Sequence, residues 1–318
     1  MPTGLIDLHC DTLTRGAFSR REGAAGRVDL DDPDYHLALR KMPAGTRWAQ
    51  CFAIFIPDRL RGEEAIAFFD RYAADFYRQV EGNAERIAPC RSCSDIERAF
   101  AAGKFAGILT VEGGCVLAGQ LERVETIRDA GVKMLTLTWN GPNELGSGHD
   151  TGEGLTAFGR EAVTALEEAG VLVDASHLND RGFEDLLAVA KKPFVASHSN
   201  ARSVCAHSRN LPDEFIREMV RRGGLIGLNY SRSFLSDREG AGGLDDLYRH
   251  VCRFLELGAG KCLALGSDYD GTDIHPELKP VEKALGIYDY LTGRGIAPDI
   301  ADGVLFGNAM AFFQKHLH

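Results

Sequence analysis

The chain has 318 residues, 44% of them hydrophobic and 26% charged, a composition that excludes collagen-like, low-complexity and wholly disordered chains. With 36 Lys and Arg against 46 Asp and Glu the formal net charge is -10, which argues against nucleic-acid or anionic-membrane partners, since these need a basic face. No apolar run approaches the ~20 residues of a membrane span, and 8 Cys are too sparse for a disulfide scaffold.

In chain order, the first apolar run is 4–9, followed by a Gly-, Arg- and Asp-rich stretch, 15–34, read as a long surface loop. A second apolar run spans 49–56. The helical stretch 63–81 then places Ile66, Phe69, Tyr72, Ala73, Phe76 and Val80 on one face. Cys90 and Cys93 form a lone CxxC with no second pair, so unpaired thiols in a reducing compartment are expected rather than a zinc knuckle or redox pair. The further runs 105–112, 133–138, 171–176, 193–197, 224–230 and 261–267 alternate with helical patterns at 120–129, 156–168, 181–190, 213–222 and 244–257. Gly131, Gly170, Gly223 and Gly258 close four of these helices.

The apolar runs are at most eight residues long and most lack polar alternation, as in strands buried on both faces of a parallel sheet. Eight such runs with helical crossovers predict an α/β fold, a (β/α)8 TIM-type barrel, with a doubly wound open sheet as the alternative. No repeat, linker or composition break divides the chain, so 1–318 is read as a single domain.

Barrel enzymes carry their chemistry at the C-terminal strand ends. Here the first run ends in His9-Cys10-Asp11 and the third in Glu112-Gly113-Gly114. The fifth ends in Ser176-His177, the sixth in Ser197-His198-Ser199-Asn200, and the eighth in Ser267-Asp268-Tyr269-Asp270-Gly271. Residues i and i+2 of a strand share a face, so His9 and Asp11 can reach one cation. The two glycines after Glu112 are expected to leave room for a ligand. Each pattern alone is weak. Together, three imidazoles and several carboxylates at one rim suit zinc, and outnumber the ligands of one four-coordinate ion; a carboxylate bridging two metals would use them all.

These motifs resemble the renal (membrane) dipeptidase family, zinc peptidases of the amidohydrolase superfamily. The resemblance is carried by Asp7-Leu-His-Cys-Asp11, Val111-Glu-Gly-Gly114, Leu135-Thr-Leu-Thr138, Asp174-Ala-Ser-His177, Ser197-His-Ser-Asn200, Ser208-Arg-Asn210 and Gly266-Ser-Asp-Tyr-Asp-Gly271, in the family's order. It implies a distorted, amidohydrolase-like barrel holding two Zn2+ ions. His9 and Asp11 would hold one zinc, His177 and His198 the other, and Glu112 would bridge them. Asp268 matches the catalytic acid/base that shuttles the proton while metal-activated water attacks the peptide carbonyl, with Asp270 its rival. Arg209 matches the residue that grips the substrate's terminal carboxylate; without the motif it would read as a surface salt bridge.

The implied activity is hydrolysis of free dipeptides, L-Xaa-D-Xaa among them. The alternatives are an amidohydrolase acting on N-acyl amino acids and a non-catalytic metal-binding barrel. One departure concerns the His that the family often carries after the fourth strand. Here Trp139-Asn140-Gly141-Pro142-Asn143 follows, leaving His149, Asn140 or Asn143 to contact the substrate carbonyl; Tyr230 is a further candidate contact. The family's mammalian members are secreted and lipid-anchored, whereas here His9 stands too near the start for a signal and the end is too polar for an anchor, so a cytoplasmic enzyme, as in bacterial members, is expected. A small dipeptide is the expected partner, with a possible homodimer implied by the resemblance. His36, His207, His250, His275, His316 and His318 are read as surface or packing residues, His207 standing near enough to Arg209 to reach substrate, and Asp270 and Asp273 as ordering the last barrel loop.

Overall fold

A computed structural model describes residues 2–18 and 28–318. Most of the expected loop 15–34 thus lies outside the described residues or in turns, but Arg15–Phe18 is a short helix. Nine strands form one parallel sheet: β1 Leu5–Cys10, β2 Trp48–Phe55, β3 Ile87–Pro89, β4 Phe105–Glu112, β5 Met134–Thr136, β6 Leu172–Asp174, β7 Val195–Ala196, β8 Leu225–Leu228 and β9 Leu263–Leu265. The sheet order is β2-β1-β9-β8-β7-β6-β5-β4-β3, and β2 also pairs with β4, so all strands but β3 close a ring of eight. This is the (β/α)8 barrel, and each predicted apolar run lies on one of its strands.

The ninth strand was not anticipated, because Ile87–Pro89 is too short to stand out from its flanks. It takes the first residues of one β4 edge, Phe105–Gly107, and β5 takes the last, Val111–Glu112. That completes the backbone pairing of a long strand whose buried N–H and C=O groups need partners. The helices Cys93–Ala101, Gly286–Gly293, Pro298–Asp302 and Asn308–His316 are also additions to the predicted set. The last of these has a structural purpose. Ile6, Leu8, Ala49, Cys51, Ala106 and Ile108 on neighbouring strands form one buried cluster with Phe306, Ala309, Phe312 and Phe313, so the C-terminal helical segment plugs the barrel end away from the strand C-termini. A second, larger cluster lies between the sheet and the surrounding helices.

Helix ends follow local chemistry. Thr156 and Asn179 accept the backbone N–H of Gly159 and Gly182, capping the helices Ala157–Ala169 and Asp180–Val189. The four predicted closing glycines all have positive φ, from 69° to 96°. The eight cysteines are free, and Cys90 and Cys93 are buried.

His250, in the helix Leu244–Glu256, is a packing residue. Its Nδ1 accepts the Ala201 N–H (3.1 Å), so the neutral ring carries its proton on Nε2, which donates to the Leu235 carbonyl (3.1 Å). Burial lowers its pKa to about 4. The unfolded chain therefore binds more protons between about pH 6.5 and 4, and stability falls through that window by roughly 3 kcal/mol on acidification. Urea unfolding at pH 7 and 4.5 should show a smaller acid loss in His250→Gln than in the parent; equal losses would remove this assignment.

Candidate metal centre and substrate cavity

The barrel gathers the predicted ligands at one end. His9 stands near the end of β1, where the four residues from Asp7 to Cys10 span only three of β2, Gln50 to Phe52. That bulge re-aims the strand just where the first imidazole is needed. Glu112 ends β4, and His177, His198 and Asp268 follow β6, β7 and β9. His9 Nε2 lies 3.6 Å from Asp11 Oδ2, 3.6 Å from Glu112 Oε2 and 4.0 Å from Asp268 Oδ1. Glu112 Oε1 lies 2.7 Å from His177 Nε2 and 3.5 Å from His198 Nε2, and these two nitrogens are 2.9 Å apart. His9–Glu112–His198 and His9–Asp11–Asp268 each bring one ligand atom apiece within 4.8 Å of one another.

These groups have been taken out of water without being satisfied. His9 Nε2 and Asp11 Oδ1 are buried with no hydrogen-bond partner. Burial, reinforced by Asp11, pushes Glu112 well above the usual carboxylate range, and burial holds His177 and His198 well below that of imidazole. Burial also pulls on His9, but the Glu112 and Asp11 carboxylates override it and lift the ring to about 10. Two neutral imidazoles and a third held protonated by crowded carboxylates are what a divalent cation relieves, so the donor set fits metal.

A second layer fixes ligand direction. Asp174 accepts the Ser197 and Ser176 N–H groups (2.8 and 3.0 Å) and the Thr136 and Ser197 hydroxyls (both 2.6 Å). With its proton given to Asp174, Ser197 Oγ can only accept from His198 Nδ1 (2.7 Å), which leaves the Nε2 lone pair facing the cluster. Asp7 makes the matching clasp across the barrel, accepting the Ser267 N–H (2.8 Å) and hydroxyl (2.5 Å) beside Asp268. Ser197→Ala should weaken metal binding about 10–100-fold, read by competition with a chromogenic chelator. Unchanged affinity would show that His198 needs no such orientation.

Asp268 is held at both ends. Its N–H donates to the His9 carbonyl (3.1 Å), its Oδ2 accepts from Asn229 Nδ2 (3.0 Å), and its φ is 61°. A left-handed non-glycine residue is strained by about 1–3 kcal/mol and persists only where its surroundings impose it. Burial raises its carboxyl to about 6. A Cβ on Gly271 would collide with the Asp11 and Asp268 carboxylates, so only glycine lets that turn pass the cluster. Asp270, the sequence rival, is engaged elsewhere. Its carboxylate accepts the Thr12 hydroxyl (2.7 Å) and the His36 N–H (2.7 Å), tying the 36–37 segment to the last barrel loop. The glycines after Glu112 also serve another purpose than the one expected. Gly113 has φ 114°, and a Cβ there would stand 2.8 Å from the Ile56 carbonyl, so close backbone packing rather than ligand space requires it.

Arg209 is buried, with 3% exposure, not a surface residue. One Nη2 bond reaches the His198 carbonyl (3.3 Å), the guanidinium lies 5.4 Å from the Phe234 ring centre, and Nε has no partner. Burial pulls its pKa down to about 10, against the attraction of Glu112 and Asp268. Asn140 is an orienting group: its Oδ1 accepts from His177 Nδ1 (2.8 Å) and His149 Nε2 (3.0 Å). His149 Nδ1 then accepts from the Ser208 hydroxyl (2.9 Å). Asn143 is turned to backbone, bonding the Leu137 carbonyl and the Leu145 N–H (both 2.8 Å). The Tyr230 ring is buried edge-on against Tyr269, outside the residues lining the cavity.

Above the cluster opens a cavity of about 700 Å³, lined by Asp11, Glu112, His177 and Asp268 with Asn140, His149, His207 and Phe234, and by Thr14, Arg15, Phe18, Phe55, Trp139 and Thr272. His207 is thus a lining residue rather than a bland one, and its place in the loop beside Arg209 was the available signal. Asn229 follows β8 and could have been found by the same strand-end rule. The aromatic residues carried no sequence signal, since each looks like core.

The family model for membrane dipeptidase, peptidase family M19, matches residues 2–316. A Klebsiella pneumoniae protein described as an uncharacterised protein in the pqqA 5' region is 31% identical over 240 residues, covering 72% of this chain and 89% of its own. Among solved structures, a metallopeptidase named dipeptidase AC shares 25% identity at a TM-score of 0.88, covering 99% of this chain and 98% of its own. A metallopeptidase of Rhodobacter sphaeroides, solved with a phosphinate mimic of the dipeptide L-Ala-D-Ala, has the same fold at a TM-score of 0.89 and 24% identity, covering 100% of both chains.

Proposed function

This chain belongs to the membrane dipeptidase family and is a metallo-dipeptidase, and from that premise we propose that it hydrolyses free dipeptides, L-Xaa-D-Xaa among them, using two zinc ions. The observation that carries the reading is a buried guanidinium, unpaired at Nε, beside a cluster of unsatisfied imidazole and carboxylate atoms. His9 and Asp11 would hold one zinc and His177 and His198 the other, with Glu112 shared. Bound zinc would supply Lewis acidity to the scissile carbonyl and a lowered pKa for the attacking water.

The remaining steps fall to the chain's own residues. Arg209 binds the terminal carboxylate through two parallel hydrogen bonds, which sets substrate length and places the scissile bond over the cluster. Asp268, anchored through Oδ2, has Oδ1 turned to the ligands; it takes a proton from the attacking water and returns it to the leaving amine. Asn140 keeps His177 and His149 in fixed tautomers throughout. Among the described residues no helix is long and apolar enough to cross a membrane. The reading takes the enzyme as cytoplasmic and as a homodimer, with a dipeptide as its small-molecule partner.

The test is a panel of L-L, L-D and D-L dipeptides given to zinc-loaded protein, with N-acetyl and C-amidated controls. Free dipeptides should be cleaved and their amides spared. No dipeptide turnover, or cleavage of N-acetyl compounds alone, would overturn the reading in favour of another small amide.

A further inference from the structure

In the closed ring β1-β2-β4-β5-β6-β7-β8-β9, β2 and β7 stand four strands apart in either direction, facing each other across the barrel mouth. The loop after β7 carries Arg209, and β2 ends in Phe55. Glu112, at the end of β4, lies next to β2 in the ring. A dipeptide whose carboxylate rests on Arg209 and whose amide lies over the ligand cluster therefore points its N-terminal residue at the β2 wall.

That wall is aromatic. Phe18 meets Phe55 edge-on at 5.5 Å, and Phe55 meets Trp139 edge-on at 4.9 Å. All three line the cavity and none is fully buried. Phe18, 37% exposed, is the exposed large hydrophobic residue among those described. Apolar rings left open to water inside a cavity mark a place for an apolar ligand group. Two cations lie on this side: Arg15, already engaged with the Asp270 carbonyl (3.0 Å) and its carboxylate (3.5 Å), and Arg59, whose guanidinium lies 5.5 Å from the Phe18 ring centre but is not among the residues lining the cavity. Among the described residues that line the cavity on this side, the one arginine is thus already paired, and the rings present an apolar face to the ligand.

We propose that Phe18, Phe55 and Trp139 form the subsite for the side chain of the substrate's N-terminal residue, and that this residue is large and apolar or aromatic. The inference rests on the dipeptidase reading, because Arg209 sets the substrate's direction.

Two series test it with the zinc-loaded enzyme: Xaa-Ala and Ala-Xaa, with Xaa as Gly, Ala, Leu, Phe, Glu or Lys. In the first series kcat/KM for Leu and Phe should exceed that for Gly by about 10–100-fold. Phe55→Ala, checked for unchanged metal content and Tm, should reduce kcat/KM for Phe-Ala at least about tenfold more than for Gly-Ala. A merely structural role would lower both alike. A flat first series, a preference that follows the C-terminal position, or a best substrate with Glu or Lys first would each overturn the subsite while leaving the dipeptidase reading intact. If no member of either series is cleaved, the dipeptidase reading itself fails and the subsite falls with it.

Discussion

Replacing Asp268 by Asn should lower kcat by about 10²–10⁴-fold, the range for loss of a positioned general acid/base. The variant keeps the shape of the side chain and an oxygen that can accept from Asn229 Nδ2, so the loop after β9 should stay in place. It also keeps the backbone bond to the His9 carbonyl that fixes the turn. What it loses is the capacity to carry a proton. Asp270 cannot take over, because its carboxylate is committed to the Thr12 hydroxyl and the His36 and Leu37 N–H groups. Metal content and substrate KM should therefore change little while kcat falls. A kcat within tenfold of the parent would remove Asp268 from the proton path, and a parallel loss of metal would reassign it to the ligand set. Asn229→Ala should give a smaller fall in kcat, since it frees one carboxylate oxygen without removing the carboxylate.

The six groups of the cluster were legible because a barrel imposes a simple rule: side chains at C-terminal strand ends share one space. His9, Glu112, His177, His198 and Asp268 each sit at or just past such an end, in five different runs, and five moderate signals combine into a strong one. What the sequence hid depends on contacts between distant residues. Nothing local in Ser197 tells whether its hydroxyl bonds Asp174 and His198 or water. Nor does Asp270 announce that its partners lie 233 to 258 residues away. Phe18, Phe55 and Trp139 look like any core aromatics until the ring closes and leaves them facing a cavity. The same limit explains the glycines after Glu112: a residue that leaves room for a ligand and one that leaves room for a neighbouring carbonyl are the same residue until the neighbour is placed. Strand length was overread for the same reason. The runs at 193–197 and 261–267 continue beyond the strands Val195–Ala196 and Leu263–Leu265 because residues that leave the sheet to reach the cluster stay buried.

Arg209→Met should move activity and stability in different directions. A bidentate pair between guanidinium and carboxylate contains two charge-assisted bonds of about 1.5–3 kcal/mol each. Losing both should lower kcat/KM for free dipeptides by about 10²–10⁴-fold. C-amidated dipeptides never had that interaction, so the variant should treat the free and amidated forms nearly alike, a loss of discrimination that misfolding would not mimic. Stability follows other terms. The parent guanidinium is desolvated, makes one bond to a carbonyl, leaves Nε unpartnered, and has no carboxylate within salt-bridge reach among the described residues. Its compensation is longer-range attraction to Glu112 and Asp268, and burial still pulls its pKa down to about 10. Bound cations neutralise those carboxylates and remove most of that compensation. Methionine fills a similar length, can lie against Phe234, and buries no charge. The zinc-loaded variant should therefore unfold at the same temperature as the parent or a higher one. A lower Tm together with unchanged discrimination between free and amidated dipeptides would make Arg209 a structural residue and remove the clamp. A fall in activity alone, with discrimination retained, would assign the carboxylate to another residue.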